Sequence, residues 1–152
     1  MERVLIERRL ASSPELLFDF LAEHENLGLI FGGKVTRVCD GTDGHRNGVG
    51  STRRLKPPLA PSLEETVTEF VPHELIRYRI SRGSPLRDHE GVMRFAPDGS
   101  GTDFRYEITF RGAFPGIGKL VAAMLRRDIA RGLVEADSRA LAGRRVEAGP
   151  AG

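Results

Sequence analysis

Residues 117–141, IGKLVAAMLRRDIARGLVEADSRAL, decide the fold of this chain. Their apolar side chains recur at the three- and four-residue spacing that forms a stripe along one side of an α-helix. The stripe consists of Ile117, Leu120, Val121, Met124, Leu125, Ile129, Leu133 and Ala136. A helix with so broad an apolar side needs a partner surface, and we expect it to lie on a sheet formed by the preceding residues.

Six strand-like runs precede that helix, at residues 34–39, 50–56, 63–71, 75–81, 90–95 and 104–110. Turn-forming residues, mainly Gly, Pro, Asp and Ser, separate each run from the next. In the fourth and sixth runs apolar and aromatic side chains alternate with charged ones, so each strand has one apolar face. The short connections predict an antiparallel meander.

The N-terminal segment predicts one strand and two short helices. Residues 3–10 are β-rich and are followed by Ser13, a typical N-cap, and Pro14, which suits the first helical position. Helical spacing continues to Glu23, and a shorter helical turn follows at residues 25–31.

Length and composition indicate one globular domain. The chain has 152 residues, of which 39% are hydrophobic and 29% charged. We expect an α+β domain at residues 1–145 and a flexible tail at residues 146–152. No apolar run approaches the roughly 20 residues of a membrane-spanning helix, so membrane insertion is not expected. Residues 1–10 lack the apolar core of a secretory leader, which favours a cytoplasmic location.

Charge and cysteine content narrow the function classes. The net charge is +2 and the charges are interspersed, so nucleic acid is not an expected partner. Cys39 is the single cysteine, which excludes a disulfide within the chain and a multi-cysteine metal site. We expect Cys39 to be a small apolar filler. The spacing of His24, His45 and His73 does not suit zinc, so we expect no metal.

Three segments carry a family resemblance. They are residues 11–21, ASSPELLFDFL; residues 65–70, ETVTEF; and residues 114–120, FPGIGKL. Together with the order of elements, they resemble the START-like, helix-grip superfamily, in its polyketide cyclase/dehydrase and lipid-transport branch. The resemblance implies an antiparallel sheet of about seven strands wrapped around the long C-terminal helix. It also implies a cavity between sheet and helix that binds hydrophobic molecules, with polyketide ring closure or dehydration in some members.

A cavity of this kind would be lined by the apolar strand faces and the helix stripe. Aromatic and methionine side chains suit flat or flexible lipophilic ligands, although any one of them could instead fill a solid core. Considered together, these side chains favour a cavity. The predicted ligand-binding residues are Tyr78, Ile80, His89, Met93, Phe95, Phe104, Tyr106, Ile108, Leu120, Met124, Leu125 and Asp128.

His89 is the first candidate for chemistry. Strand parity places it on the apolar face, where a neutral imidazole could exchange a proton near pH 7. A hydrogen-bonded structural histidine is the alternative. Asp88 and Glu90 point to the opposite face in a regular strand, so they do not join it.

Glu65 is the second candidate, and parity places it on one face with Val67 and Glu69. A buried Glu65 would need a partner, which Arg53 or Arg54 could supply. The alternative, which we favour from the sequence, is a cross-strand pair on the solvent face.

Asp128 lies within the helix stripe, where it would contact a polar ligand group or sit at the stripe's edge. The loops at residues 56–61 and 82–88 are candidate flaps at the cavity mouth.

The sequence therefore predicts binding or carrying of a small hydrophobic molecule, lipid or polyketide-like, without a cofactor. The first alternative is a polyketide cyclase or dehydratase in which His89 or Glu65 acts as general acid/base and Tyr78 or Tyr106 donates to an enolate oxygen. The second alternative is a protein-interaction module that uses the outer sheet face or the basic helix surface.

Overall fold

A seven-stranded antiparallel sheet and one long helix dominate the structure, a computed structural model that describes residues 1–58 and 60–148. The elements are β1 (Glu2–Leu10), α1 (Pro14–Ala22), a 3-10 turn (His24–Leu27), α2 (Gly28–Phe31), β2 (Lys34–Cys39), β3 (Thr52–Lys56), β4 (Leu63–Val71), β5 (Leu75–Arg82), β6 (Leu86–Asp98), β7 (Gly101–Gly112) and α3 (Ile117–Ala148).

The sheet has the strand order β1-β7-β6-β5-β4-β3-β2. Strands β2 to β7 therefore form the predicted meander, and β1 pairs with β7, with Val4 opposite Ile108. Helix α3 packs across the inner face of this sheet, where it contacts β1 and β7. The predicted α+β fold, an antiparallel sheet wrapped around a C-terminal helix, is confirmed.

The local signals at the N-terminus also match the structure. The Ser13 hydroxyl accepts a hydrogen bond from the Leu16 backbone N–H at 3.3 Å, and Pro14 is the first helical residue. This cap satisfies one of the unpaired N–H groups of α1. It starts the helix at the point from which Leu17, Phe18 and Leu21 enter the core.

One end of the space between sheet and helices is solid. Phe18 of α1 packs edge-on to Phe95 at 5.1 Å between ring centroids, and Phe95 lies 5.2 Å from Phe104. Ile129 and Leu133 of α3 join this core and are fully buried. Rings at these distances interlock, so this end leaves no room for a ligand.

Hydrogen bonds to Asp137 and a close backbone contact at Gly132 hold the part of α3 that follows Asp128 in place. Asp137 accepts hydrogen bonds from the backbone N–H groups of Ala11 and Ser12 at 3.0 and 2.9 Å. Gly132 lies against α2, because a Cβ atom added there would be 2.2 Å from the Leu29 carbonyl oxygen. The helix therefore docks with its backbone close to α2.

Several boundaries differ from the predictions. Strand β6 begins at Leu86, so the predicted flap at residues 82–88 ends in strand. Helix α3 continues beyond the predicted Leu141 to Ala148; of the predicted tail, residues 149–152 lie outside the described residues. Cys39 is exposed at the end of edge strand β2, so the prediction of an apolar filler was wrong. No helix in residues 1–58 and 60–148 combines the length and apolarity needed to span a membrane.

Candidate ligand cavity

A cavity of about 440 Å³ lies between the sheet and the first half of α3. Its walls are mainly aliphatic and aromatic, and its polar side chains are few. The lining residues are Phe31, Gly33, Lys34, Val35, Leu55, Lys56, Pro57, Pro58, Ala60, Pro61, Leu63, Glu65, Tyr78, Ile80, Ser84, Pro85, Leu86, His89, Ile108, Ile117, Leu120, Val121, Met124, Leu125 and Asp128. A volume of this size falls in the range of small-molecule sites, about 300–1,000 Å³.

The cavity opens to solvent beside α3. Leu120 and Met124 line it and are nevertheless 57% and 41% exposed, so they form part of its mouth. The proline-rich loop after β3 and the Ser84-Pro85 turn before β6 complete the rim. Both predicted flap regions therefore contribute residues to the mouth.

The structure separates the predicted ligand-binding residues into two groups. One group lines the cavity and consists of Tyr78, Ile80, His89, Ile108, Leu120, Met124, Leu125 and Asp128. The other is buried in the packed core instead and consists of Met93, Phe95, Phe104 and Tyr106. Strand parity gives both groups the same face, but α1 covers only the end of the sheet that carries the second group.

Sequence reasoning missed the wall formed by β3, β4 and α2. Leu55 and Leu63 face each other across these strands and both line the cavity. Period-two alternation from Leu55 also places Arg53 on the inner face, and alternation from Leu63 does the same for Glu65. That alternation was the available signal for the side on which these charged residues lie.

Arg53 and Glu65 form a buried ion pair, so the predicted solvent-face pair was wrong for Glu65. Arg53 Nε donates to Glu65 Oε1 at 2.9 Å, and both side chains are almost fully buried. The neighbouring pair, Arg54 with Glu64, lies on the outer face at 3.0 Å. The structure thus selects Arg53 as the inward arginine.

The predicted shared face of Glu65 and Glu69 is also wrong. Val67 pairs with Tyr78 whereas Glu69 pairs with Arg77, so Thr68 is an extra residue in a β-bulge. A bulge reverses the alternation beyond it. Glu69 therefore lies on the outer face, 2.9 Å from Arg77 Nε.

Aromatic rings hold the buried arginine. The Arg53 guanidinium lies 4.6 Å from the centre of the Tyr78 ring and 6.0 Å from that of Phe31. Its Nη2 is 2.8 Å from Glu65 Oε1 but at an angle that does not make a second hydrogen bond. Arg53 therefore engages one carboxylate oxygen and leaves Glu65 Oε2 available.

His89 has a fixed orientation and tautomer. Its Nδ1 accepts a hydrogen bond from the Ile80 backbone N–H at 3.1 Å, so in the neutral ring Nε2 carries the proton. Burial, opposed in part by the nearby Glu65, lowers the pKa of His89 below its ordinary value. A neutral ring then presents its Nε2–H toward Glu65 Oε2, 4.0 Å away.

Tyr78 and Tyr106 are joined through their hydroxyl groups. Burial raises the pKa of both phenols above the ordinary value, so both keep their protons at neutral pH. Tyr78 lines the cavity whereas Tyr106 lies behind it. The Tyr78 ring lies across Gly91, since a Cβ there would be 2.2 Å from Tyr78 Cζ.

Asp128 lines the cavity from α3, on the side opposite the sheet. Arg127 Nε lies 3.3 Å from its carboxylate, which is 21% exposed. It therefore sits at the edge of the stripe, apart from the Glu65 group. Among the side chains of residues 1–58 and 60–143, no cluster of three His, Cys, Asp or Glu is placed to hold a metal ion.

A second buried histidine, His24, lies outside the cavity wall. Its Nε2 is 3.0 Å from the Ser51 hydroxyl, which itself donates to the Gly48 carbonyl. Burial, assisted by the positive charge of Arg53, lowers the pKa of His24 to about 3. His24 is consequently neutral across the physiological range.

Comparison with known proteins agrees with the sheet and helix described above. Residues 1–142 match the family model described as polyketide cyclase / dehydrase and lipid transport. The chain belongs to this family. The comparison with curated protein sequences gave no match.

Solved structures of START-like, helix-grip proteins are similar in fold. TTHA0849 from Thermus thermophilus has a TM-score of 0.73 at 20% identity, over 93% of this chain and 99% of that one. XoxI from Bacillus cereus has a TM-score of 0.69 at 16% identity, over 93% and 96%. The Aha1 dimer from Colwellia psychrerythraea has a TM-score of 0.65 at 14% identity, over 91% and 96%. Identities this low establish a shared fold only.

Proposed function

We propose that residues 1–145 form one ligand-binding domain that binds a small hydrophobic molecule, lipid or polyketide-like, and carries or sequesters it. The observation that carries this proposal is the cavity of about 440 Å³ with mainly apolar walls. Transfer of an apolar ligand from water into such a site is favourable by roughly 25 cal/mol for each Å² buried. The family description, which includes lipid transport, supports the same class of ligand.

The arrangement of the walls supports carrying in particular. Apolar side chains at the mouth, such as Leu120 and Met124, are partly exposed before any ligand is present. They offer a lipophilic molecule a continuous apolar path inward, and α3 covers the molecule once it is inside.

Two valines of α3 provide a matched test of this function. Val121 lines the cavity, whereas Val134 is 72% exposed and lies outside it. We expect Val121→Trp to fill the cavity and abolish binding of the neutral dye Nile red, and Val134→Trp to leave binding unchanged.

Native mass spectrometry of the gently purified protein, before and after organic extraction, would identify a co-purifying ligand. Equal dye binding by both variants, or none by the unsubstituted protein, would refute the proposal.

A second candidate function is acid–base catalysis of polyketide cyclisation or dehydration. Glu65, His89 and Tyr78 line the same cavity, with Glu65 Oε2 and His89 Nε2 4.0 Å apart. Glu65 would accept a proton from an acidic C–H while His89 or Tyr78 donates a hydrogen bond to the carbonyl oxygen. In a dehydration, the C–O bond of the β-hydroxyl would then break and Glu65 would return the proton to that hydroxyl, which leaves as water. Loss of water from a bound β-hydroxy ketone, followed by absorbance of the enone, would test this activity. A rate that His89→Phe leaves unchanged would exclude His89 from it.

A further inference from the structure

At the inner end of the cavity, Glu65 and His89 each have one side-chain atom that is already hydrogen-bonded and one that is not. Glu65 Oε1 is held by Arg53, and His89 Nδ1 is held by the Ile80 backbone N–H. The available atoms are the acceptor Glu65 Oε2 and the donor His89 Nε2. Among the described side chains, residues 1–58 and 60–143, the buried atoms without a hydrogen bond are His24 Nδ1 and Arg53 Nη2. Glu65 Oε2 and His89 Nε2 are not among them, so both face open space.

The distance between these atoms leaves room for a ligand atom. At 4.0 Å they are too far apart for a direct hydrogen bond, whose N···O distance is about 2.7–3.2 Å. An oxygen atom placed beside both can lie within hydrogen-bond distance of each. Such an atom would have to accept from His89 and donate to Glu65.

We propose that this end of the cavity recognises a hydroxyl group, so that the ligand is a neutral lipophile carrying an alcohol or a phenol. This inference rests on the function proposed above and adds the chemistry of the ligand's polar group. A hydroxyl oxygen both accepts and donates at a single atom. Ethers and ketones only accept, an ammonium group only donates, and a carboxylate would meet the negative charge of Glu65.

The charge of the surrounding side chains favours a neutral group as well. Arg53 and Glu65 balance each other, and His89 is neutral because burial lowers its pKa. The lysines that line the cavity, Lys34 and Lys56, are on exposed positions of β2 and β3. A fatty acid would therefore place its carboxylate toward the mouth and leave the inner donor and acceptor unpaired, which costs affinity.

Two ligand series of matched shape test the proposal on the unsubstituted protein. The aliphatic series is decan-1-ol, its methyl ether and decanoate; the aromatic series is 2-naphthol, 2-methoxynaphthalene and 2-naphthoate. Affinities are measured by displacement of Nile red. We expect the hydroxyl member of at least one series to bind about 10-fold tighter than its ether, because the ether cannot donate to Glu65. A preference in one series alone supports the proposal and assigns the ligand to that class.

A variant of His89 tests whether its ring supplies the hydrogen-bond donor. Glu65→Gln would leave Arg53 without its counter-ion and endanger folding, so His89→Phe is the variant of choice. We expect His89→Phe to weaken binding of the alcohol and of its ether by about 10-fold each, because both accept from His89 Nε2–H, whereas the alcohol keeps its preference over the ether by donating to Glu65. The control, His73→Asn, substitutes a partly exposed histidine outside the cavity and should keep both affinities. Undiminished binding of both ligands by His89→Phe would exclude His89 as the donor.

The outcomes separate the two proposals. If ethers bind as tightly as alcohols and phenols, or carboxylates bind tighter, recognition of a hydroxyl is refuted while hydrophobic binding stands. If neither Nile red nor any member of the series binds, the proposed function fails and the hydroxyl site fails with it.

Discussion

The two halves of helix α3 meet the same sheet in different ways. In the part that follows Asp128, Ile129 and Leu133 are fully buried, and Asp137 is hydrogen-bonded to the turn after β1. In the first half, Leu120 and Met124 are partly exposed and border a cavity. One continuous apolar stripe therefore forms core at one end and the wall of a cavity at the other.

The difference comes from what lies opposite each half. Helix α1 supplies Phe18, which fills the space beneath the second half, and α2 approaches closely at Gly132. Beneath the first half the sheet supplies smaller or inward polar groups, including Ile80, Ile108 and the Arg53–Glu65 pair. Core packing and the cavity wall are thus formed by separate stretches of one helix.

Truncation of one leucine in each half tests this separation most strongly. We expect Leu133→Ala to lower the free energy of unfolding by about 3 kcal/mol, because it leaves a cavity in a packed core. Leu120→Ala should cost less than about 1 kcal/mol, since Leu120 is 57% exposed. Urea-induced unfolding measures both. Equal losses would show that the first half of α3 is also part of the stabilising core.

Two of the three glycines of α3, Gly132 and Gly143, form a second matched pair. Alanine favours a helix over glycine by about 1 kcal/mol at either position, so any difference between the variants reports packing. A Cβ at Gly132 would be 2.2 Å from the Leu29 carbonyl oxygen, whereas nothing lies within 4 Å of one at Gly143. We expect Gly132→Ala to destabilise by about 2 kcal/mol and Gly143→Ala to be neutral or stabilising. Thermal unfolding of both variants decides; a stabilised Gly132→Ala protein would contradict close docking on α2.

The two aspartates of α3 also differ in how much they are expected to contribute to stability. Asp137 accepts from two backbone N–H groups and from the Ser12 hydroxyl, whereas Asp128 contacts the neighbouring Arg127. We expect Asp137→Ala to cost about 2 kcal/mol, because the backbone donors lose a charged acceptor. Asp128→Ala should change stability by less than about 0.5 kcal/mol. Chemical denaturation of the two variants measures the contrast, and a larger effect at Asp128 would reverse our assignment.

Buried His24 gives the smallest expected effect, which is on the pH dependence of the free energy of unfolding. The pKa of His24 falls from 6.5 to about 3 on folding, so below pH 6.5 the unfolded chain binds a proton that the native protein does not. Stability is therefore full above pH 6.5 and is lost as the pH falls, by about 1.4 kcal/mol per pH unit for this group. His24→Gln, whose amide can still donate to Ser51, should reduce the slope between pH 6.5 and 5.5. His73→Asn, at an exposed position with φ of 66°, should keep it. An unchanged slope in His24→Gln would exclude this residue as its source.

The inner face of β5 and β7 was predictable because regular alternation fixes it. Ile76 and Tyr78 are buried as predicted, and so are Phe104 and Tyr106. Glu69 was misplaced because the extra residue at Thr68 reverses the alternation, and a bulge has no reliable signal in one sequence. Whether an inward side chain lines a cavity or fills a core also lay beyond the pattern.

The sequence by itself determined the elements, their order and the apolar side of β5, β7 and α3, because periodicity and turn chemistry act over a few residues. Only the tertiary structure decided where α1 fills the space under α3 and where a cavity is left. It also decided that Arg53 pairs with Glu65 and that Glu65 Oε2 lies 4.0 Å from His89 Nε2. These features depend on distances between residues far apart in the chain, which local patterns do not encode.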